Sequence, residues 1–142
     1  METLSKEEFL KHAAVNEELK ALFIQTSSEY YEMEDESFLA ADEVDFHGKQ
    51  LLIELDLEKG RIHFISDLKC ENTMVDSRDS YKSAKDDLFM KAKLLGFDFL
   101  DSLHGSNGEY TWHSLSTPVD KFSLKDLERF VVAWVNFDNK VC

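Results

Sequence analysis

The side chains that could carry chemistry in this sequence are histidines, cysteines and carboxylates, and their spacing matches no motif of a metal site or an activated nucleophile. The five histidines are scattered along the chain: His12, His47, His63, His104 and His113. There is no His-x-x-x-His pair, no Cys-x-x-Cys and no spaced calcium loop. A Gly-x-Ser-x-Gly elbow and a phosphate-binding glycine loop are also missing. The residues therefore predict no metal, no cofactor and no catalytic residue.

One acid–imidazole pair is suggested by strand pairing. The stretch Gln50–Lys69 alternates apolar and polar residues on both sides of Lys59-Gly60, a pattern typical of a β-hairpin. A two-residue turn would place Asp56 opposite His63. Such a pair can act as a general base, but on the solvent face of a sheet it is more often a weak cross-strand contact. The predicted core face of this hairpin consists of Leu51, Ile53, Leu55, Leu57, Ile62 and Phe64.

Charge is the strongest global property of the chain. The sequence has 16 Lys and Arg against 29 Asp and Glu, which gives a net charge of −13. This acidity disfavours direct binding to nucleic-acid phosphates and to anionic membranes. It favours a basic protein partner, which long-range attraction would steer toward the surface. Plain solubility is the alternative reason for such a charge.

The acidity is concentrated in one segment. No Lys or Arg occurs between Lys20 and Lys49, and eight carboxylates fall in this window. Aromatic residues lie among them, and a contact surface combines aromatic anchors with charges that steer the partner. We therefore predict a protein-binding surface here, with a solvated helix end followed by an edge strand as the alternative. The candidate binding residues are Glu29, Tyr30, Tyr31, Glu32, Glu34, Asp35, Glu36, Asp42, Glu43 and Asp45.

Length and composition predict one folded domain, residues 1–142, in the cytoplasm. The 142 residues include eleven Phe and two Trp, enough for one hydrophobic core. No apolar run approaches the roughly 20 residues of a membrane span, and the acidic N-terminus is unlike a signal peptide. Cys70 and Cys142 are interpreted as free thiols in a reducing compartment.

The N-terminal half predicts helix followed by a three-stranded meander. Ser5 begins a capping box, and Asn16 is a second helix cap. These caps indicate either two short helices or one kinked helix, with the helical pattern continuing to about Met33. His47-Gly48 is a tight turn between strands, which span about Leu39 to Lys69 in total.

The C-terminal half predicts helix, two strands and a final helix. Asp76 or Ser77 caps the first of these helices, and Gly96 ends it. Ser123 caps the last helix, whose stripe includes Leu127 and Trp134. The order α-β-β-β-α-β-β-α predicts an α+β fold, in which helices pack on an antiparallel sheet of about five strands.

This element order, on an acidic chain of this length, resembles the type III secretion chaperones. The closing segment, Glu109–Thr111 and Trp112 leading through Pro118 into Leu124–Phe137, is the part most similar to that family. The resemblance implies a homodimer that wraps an extended effector segment over apolar grooves. In size, acidity and lack of enzyme motifs the chain is also similar to bacterial immunity proteins, which cap a cognate toxin with an acidic surface.

We therefore predict a non-catalytic protein-binding module, monomeric or homodimeric. The first hypothesis is an immunity-type inhibitor of a basic toxin, and the second is a chaperone for a secreted effector. An acidic nucleic-acid mimic that blocks a DNA-binding protein and an enzyme with an unmarked site are the remaining alternatives.

Overall fold

One antiparallel sheet runs through the whole molecule. The computed structural model describes residues 2–13, 16–26, 29–34, 37–68, 79–104 and 110–141. Their elements are β1 (Glu2–Leu4), α1 (Lys6–Ala13), α2 (Glu17–Gln25), β2 (Glu29–Glu32), β3 (Phe38–Phe46), β4 (Lys49–Asp56), β5 (Arg61–Leu68), α3 (Asp79–Leu94), β6 (Asp98–His104), β7 (Tyr110–Pro118), a 3₁₀ turn (Val119–Lys121) and α4 (Leu124–Val141). The sheet order is β1-β2-β3-β4-β5-β7-β6 within the described residues. The predicted α+β class is confirmed.

The helices pack on one face of this sheet. Side chains alternate along a strand, so one register row across four strands lies on a single face. The helix-covered row consists of Ile53, Phe64, Leu115 and Phe99, all buried. Phe99 contacts Phe89 of α3 and Phe130 of α4, and Tyr30 on β2 contacts Phe9 of α1. The neighbouring row lies on the opposite face: Leu52, Ile65, Ser114 and Leu100.

The meander from β3 to β5 follows the predicted order, and its first turn is confirmed. His47 and Gly48 have φ values of 52° and 81°, as a type I′ turn requires. Val44 pairs with Leu51, which is the register that a two-residue turn imposes. Further along, the pairing of β3 with β4 shifts between Ala40 and Val44, so β3 contains a bulge.

The predicted register of the second hairpin is wrong by two residues. Asp56 pairs with Arg61, and His63 pairs with Glu54, so the predicted Asp56–His63 pair does not form. The cause is a longer turn: the Asp56 carboxylate accepts the Lys59 N–H at 3.0 Å, and Gly60 adopts a φ of 65° four residues after Asp56. A shift of two residues keeps the paired side chains on their predicted faces, but Leu57, predicted on the core face, lies in the turn.

The N-terminal segment differs from its prediction in two respects, because the strands β1 and β2 were both unpredicted. Two short helices form, but the expectation that helix continues to about Met33 is wrong, because α2 ends at Gln25 and β2 follows. The adjacent tyrosines of β2 favour a strand, and Lys6 Nζ donates to the main-chain oxygen of Thr26 at 2.9 Å, which satisfies the end of α2. β1 and β2 therefore extend the sheet beyond the meander.

Two helix ends in the C-terminal half agree with their predicted signals. Gly96 has a φ of 85°, and the Phe97 N–H donates to the Ala92 oxygen at 2.8 Å, the pattern of a Schellman motif. The Ser123 hydroxyl accepts the Asp126 N–H at 3.3 Å at the start of α4. The predicted caps Asp76 and Ser77 lie outside the described residues. Within the described part of the chain, no helix is long and apolar enough to cross a membrane.

The start of α2 fixes the start of α4. Asn16 Oδ1 accepts the N–H groups of Glu18 and Leu19, which caps α2. Its Nδ2 donates to the Val119 oxygen at 2.6 Å, in the turn before α4. The Glu18 carboxylate in turn accepts the Leu124 N–H at 2.8 Å. A cap residue therefore also positions the C-terminal helix.

We predict that Asn16→Ala lowers the free energy of unfolding by about 2 kcal/mol, because it removes a helix cap and a contact between elements. Urea denaturation followed by circular dichroism measures the change. Asn136→Ala is the control, since Asn136 is exposed within α4 and alanine favours helix. Equal losses in the two variants would contradict the role given to Asn16.

Candidate protein-binding surfaces

The structure describes the side chains of only some of the residues that were predicted to form the acidic surface. Asp35 and Glu36 lie outside the described residues. Asp42 and Glu43 belong to the bulge of β3, but their side chains are outside the described part. The side chains of the other six are described: Glu29, Tyr30, Tyr31, Glu32, Glu34 and Asp45.

Tyr30 is a correction to the predicted surface. Its side chain is only 2% exposed, and its ring centroid lies 4.5 Å from that of Phe9. Strand alternation explains the burial, because Tyr30 pairs with Ala40 and Leu4 on the face that the helices cover. Tyr30 therefore anchors α1 on the sheet and is not available to a partner.

Two other acidic residues of the segment make local contacts. The Tyr31 hydroxyl donates to the Glu29 carboxylate within β2. The Asp45 carboxylate accepts the Gly48 N–H at 3.0 Å and thereby closes the β3–β4 turn. Both carboxylates are in exposed residues, so they add negative charge to the surface while they stabilise their own strands.

Glu32 lines an open cleft of about 320 Å³ together with Glu58 from the β4–β5 turn. Phe38 and Leu57 supply the apolar part of its lining. His12 of α1 stacks on Phe38, with the ring centroids 4.3 Å apart. An apolar cleft with carboxylates at its rim suits a lysine or arginine side chain, whose stem packs while its head pairs. Sequence reasoning missed Glu58, because only the fold brings this turn beside β2.

A buried polar cluster lies beneath α4, on the helix-covered face. Lys49 is only 5% exposed and pairs with the Asp138 carboxylate. Its Nζ lies 4.7 Å from the ring centroid of Trp134. The Trp134 Nε1–H donates to Nδ1 of His113 at 3.2 Å, and His113 is fully buried. The cluster joins α4 to β4 and β7.

Burial determines the protonation of this cluster. Desolvation, reinforced by the charges of Lys49 and Lys85, lowers the pKa of His113 to about 3. Burial also raises the pKa of Asp138, although the Lys49 ammonium opposes that shift. His113 is therefore neutral near pH 7 and enclosed, and its Nδ1 already accepts a hydrogen bond. This arrangement suits a structural role better than a general base.

Sequence reasoning did not identify this cluster, although one signal was present. Lys49 stands at the start of the alternation that continues with Leu51 and Ile53, so strand periodicity alone places it on the core face. A buried lysine needs a partner, but nothing local indicates Asp138, which lies 89 residues away. Among the described residues, no group of three or more His, Cys, Asp or Glu side chains could hold a metal ion.

A group of exposed apolar side chains lies at the other end of the sheet, around β6. Three of the five large apolar side chains exposed in the described residues are found here: Met90 (59% exposed), Leu94 (82%) and Leu100 (62%). Met90 and Leu100 line an open cleft of about 620 Å³ between α3 and β6. We call these three residues and the cleft beside them the β6 edge surface.

Arg61 holds Asp98, a charged residue that lines the cleft of the β6 edge surface, in place. Its guanidinium donates to the Asp98 carboxylate at 2.8 Å and to the Ser116 hydroxyl at 2.9 Å. These contacts tie β5, β7 and β6 together on the uncovered face of the sheet. Lys93 of α3 also lines the cleft and is exposed.

The lowered pKa of His113 predicts that the protein loses stability in acid. The unfolded chain binds a proton at this residue below pH 6.5, whereas the folded chain resists it down to about pH 3. Between these values the contribution of His113 to the free energy of unfolding falls by about 1.4 kcal/mol for each pH unit by which the pH decreases. His113→Phe removes that slope from denaturation curves recorded between pH 4 and pH 6. Ser114→Ala, the matched control on the same strand, retains it; an unchanged slope in His113→Phe would refute the assignment.

Comparisons with known proteins identify the fold and no family. No family model matches the sequence, and no curated protein matches it. A chain in the structure of the HopA1-SchA chaperone-effector complex aligns over 97% of both chains, with a TM-score of 0.50 and 10% identity. An uncharacterized protein from Methanothermobacter thermautotrophicus aligns over 97% of this chain and 100% of its own, with a TM-score of 0.51 and 9% identity. The architectural resemblance to the secretion chaperones is thereby confirmed at the level of the fold.

Proposed function

We propose that this protein is a non-catalytic, chaperone-like module that binds a segment of another protein. The observation that carries the proposal is the β6 edge surface, where Met90, Leu94 and Leu100 are all more than half exposed. Met90 and Leu100 line the same cleft, and Leu94 lies one helical turn after Met90. Exposed apolar side chains grouped around a cleft are typical of an interaction site, whereas scattered ones need no explanation. The binding surface proposed here therefore differs from the acidic segment that the sequence indicated.

Two further properties support this function. The fold is similar to that of a chain from a chaperone-effector complex, and that likeness supports a chaperone-like role through the architecture alone. The net charge of −13 would keep such a module in solution while its apolar patch is unoccupied. The cytoplasm, as expected from the two cysteines, is the proposed location.

An immunity-type inhibitor is the second candidate, and the cleft between Glu32 and Glu58 favours it. Its carboxylates and its apolar lining, with Phe38 and Leu57, would hold a cationic side chain of a basic toxin. The remaining carboxylates of the acidic segment would accelerate the encounter. In this function the partner is bound folded, whereas a chaperone holds an unfolded or extended segment.

The chaperone-like function predicts that the double variant Met90→Lys/Leu94→Lys loses its partner. The experiment co-expresses the chain with the protein encoded by the adjacent gene and measures the dissociation constant of the purified complex. We expect at least tenfold weaker binding, because two exposed apolar contacts are replaced by charges. Ile24→Lys/Val132→Lys is the matched control, since these residues are similarly exposed elsewhere. An unchanged dissociation constant in the Met90 and Leu94 variant would refute the function.

The immunity-type function predicts a kinetic effect of charge reversal. Glu32→Lys/Glu58→Lys should slow association with a basic partner by about tenfold, and the wild-type rate should fall as salt rises. Stopped-flow fluorescence measures both rates. Asp86→Lys/Asp87→Lys changes the net charge equally at two exposed positions of α3 and should have a much smaller effect. Equal slowing in the two variants would indicate net charge alone and would exclude the cleft as a contact.

A further inference from the structure

We draw no further inference here: the strongest candidate, the uncovered face of the sheet on which Leu52 pairs with Ile65 and Glu54 with His63, carries no proposal, because nothing in the described part of the structure shows what covers it.

Discussion

The structure depends on a constraint that acts on every strand: one face of the sheet is covered by helices and the other is not. Because side chains alternate, each strand must send its apolar residues to the covered face in register with its neighbours. The row from Ile53 through Phe64 and Leu115 to Phe99 satisfies this across four strands. The same alternation determines which side chains lie on the uncovered face. Leu100 follows the buried Phe99 in β6 and is therefore exposed.

The polar cluster under α4 helps to determine where this helix lies on the apolar layer. The buried Lys49 ammonium contacts both the Asp138 carboxylate and the Trp134 ring, so moving α4 would separate a buried charge from its partners, whereas apolar side chains tolerate small shifts. His113 extends the cluster to β7 through the indole N–H. The cluster thereby fixes α4 relative to two strands, and this helix in turn packs against α3, which borders the β6 edge surface.

Local sequence signals predicted much of this fold. The caps Asn16 and Ser123, the Gly96 helix end and the His47-Gly48 turn act over a few residues, and each has the structure that its chemistry favours. The two errors have separate causes. β2 has only four residues and follows directly on a helical pattern, so periodicity could not separate it from α2. The predicted register of the second hairpin was wrong by two residues because a side-chain contact of Asp56 stabilises a longer turn.

The candidate binding surface around β6 could not be predicted from local sequence signals, because it depends on how distant elements assemble. The insertion of β7 between β5 and β6, which makes β6 an edge, depends on contacts between distant parts of the chain. Met90, Leu94 and Leu100 lie in two elements whose separate patterns suggest ordinary amphipathic segments. Conversely, Tyr30 looked like a contact residue until strand pairing placed it under α1. An acidic segment is visible in the sequence, whereas an exposed edge is a property of the assembled sheet.

The junction between α2 and α4 has a consequence for synthesis on the ribosome. Asn16 and Glu18 contact Val119 and Leu124, which are 103 and 106 residues later in the chain. The caps of α2 can form as soon as this helix leaves the ribosome, but its links to α4 must wait until α4 has left it as well. Until then Leu19, Leu22 and Phe23 lack the helix that packs beside them. The apolar side chains of α2 therefore stay without this contact on the nascent chain until α4 has also been made.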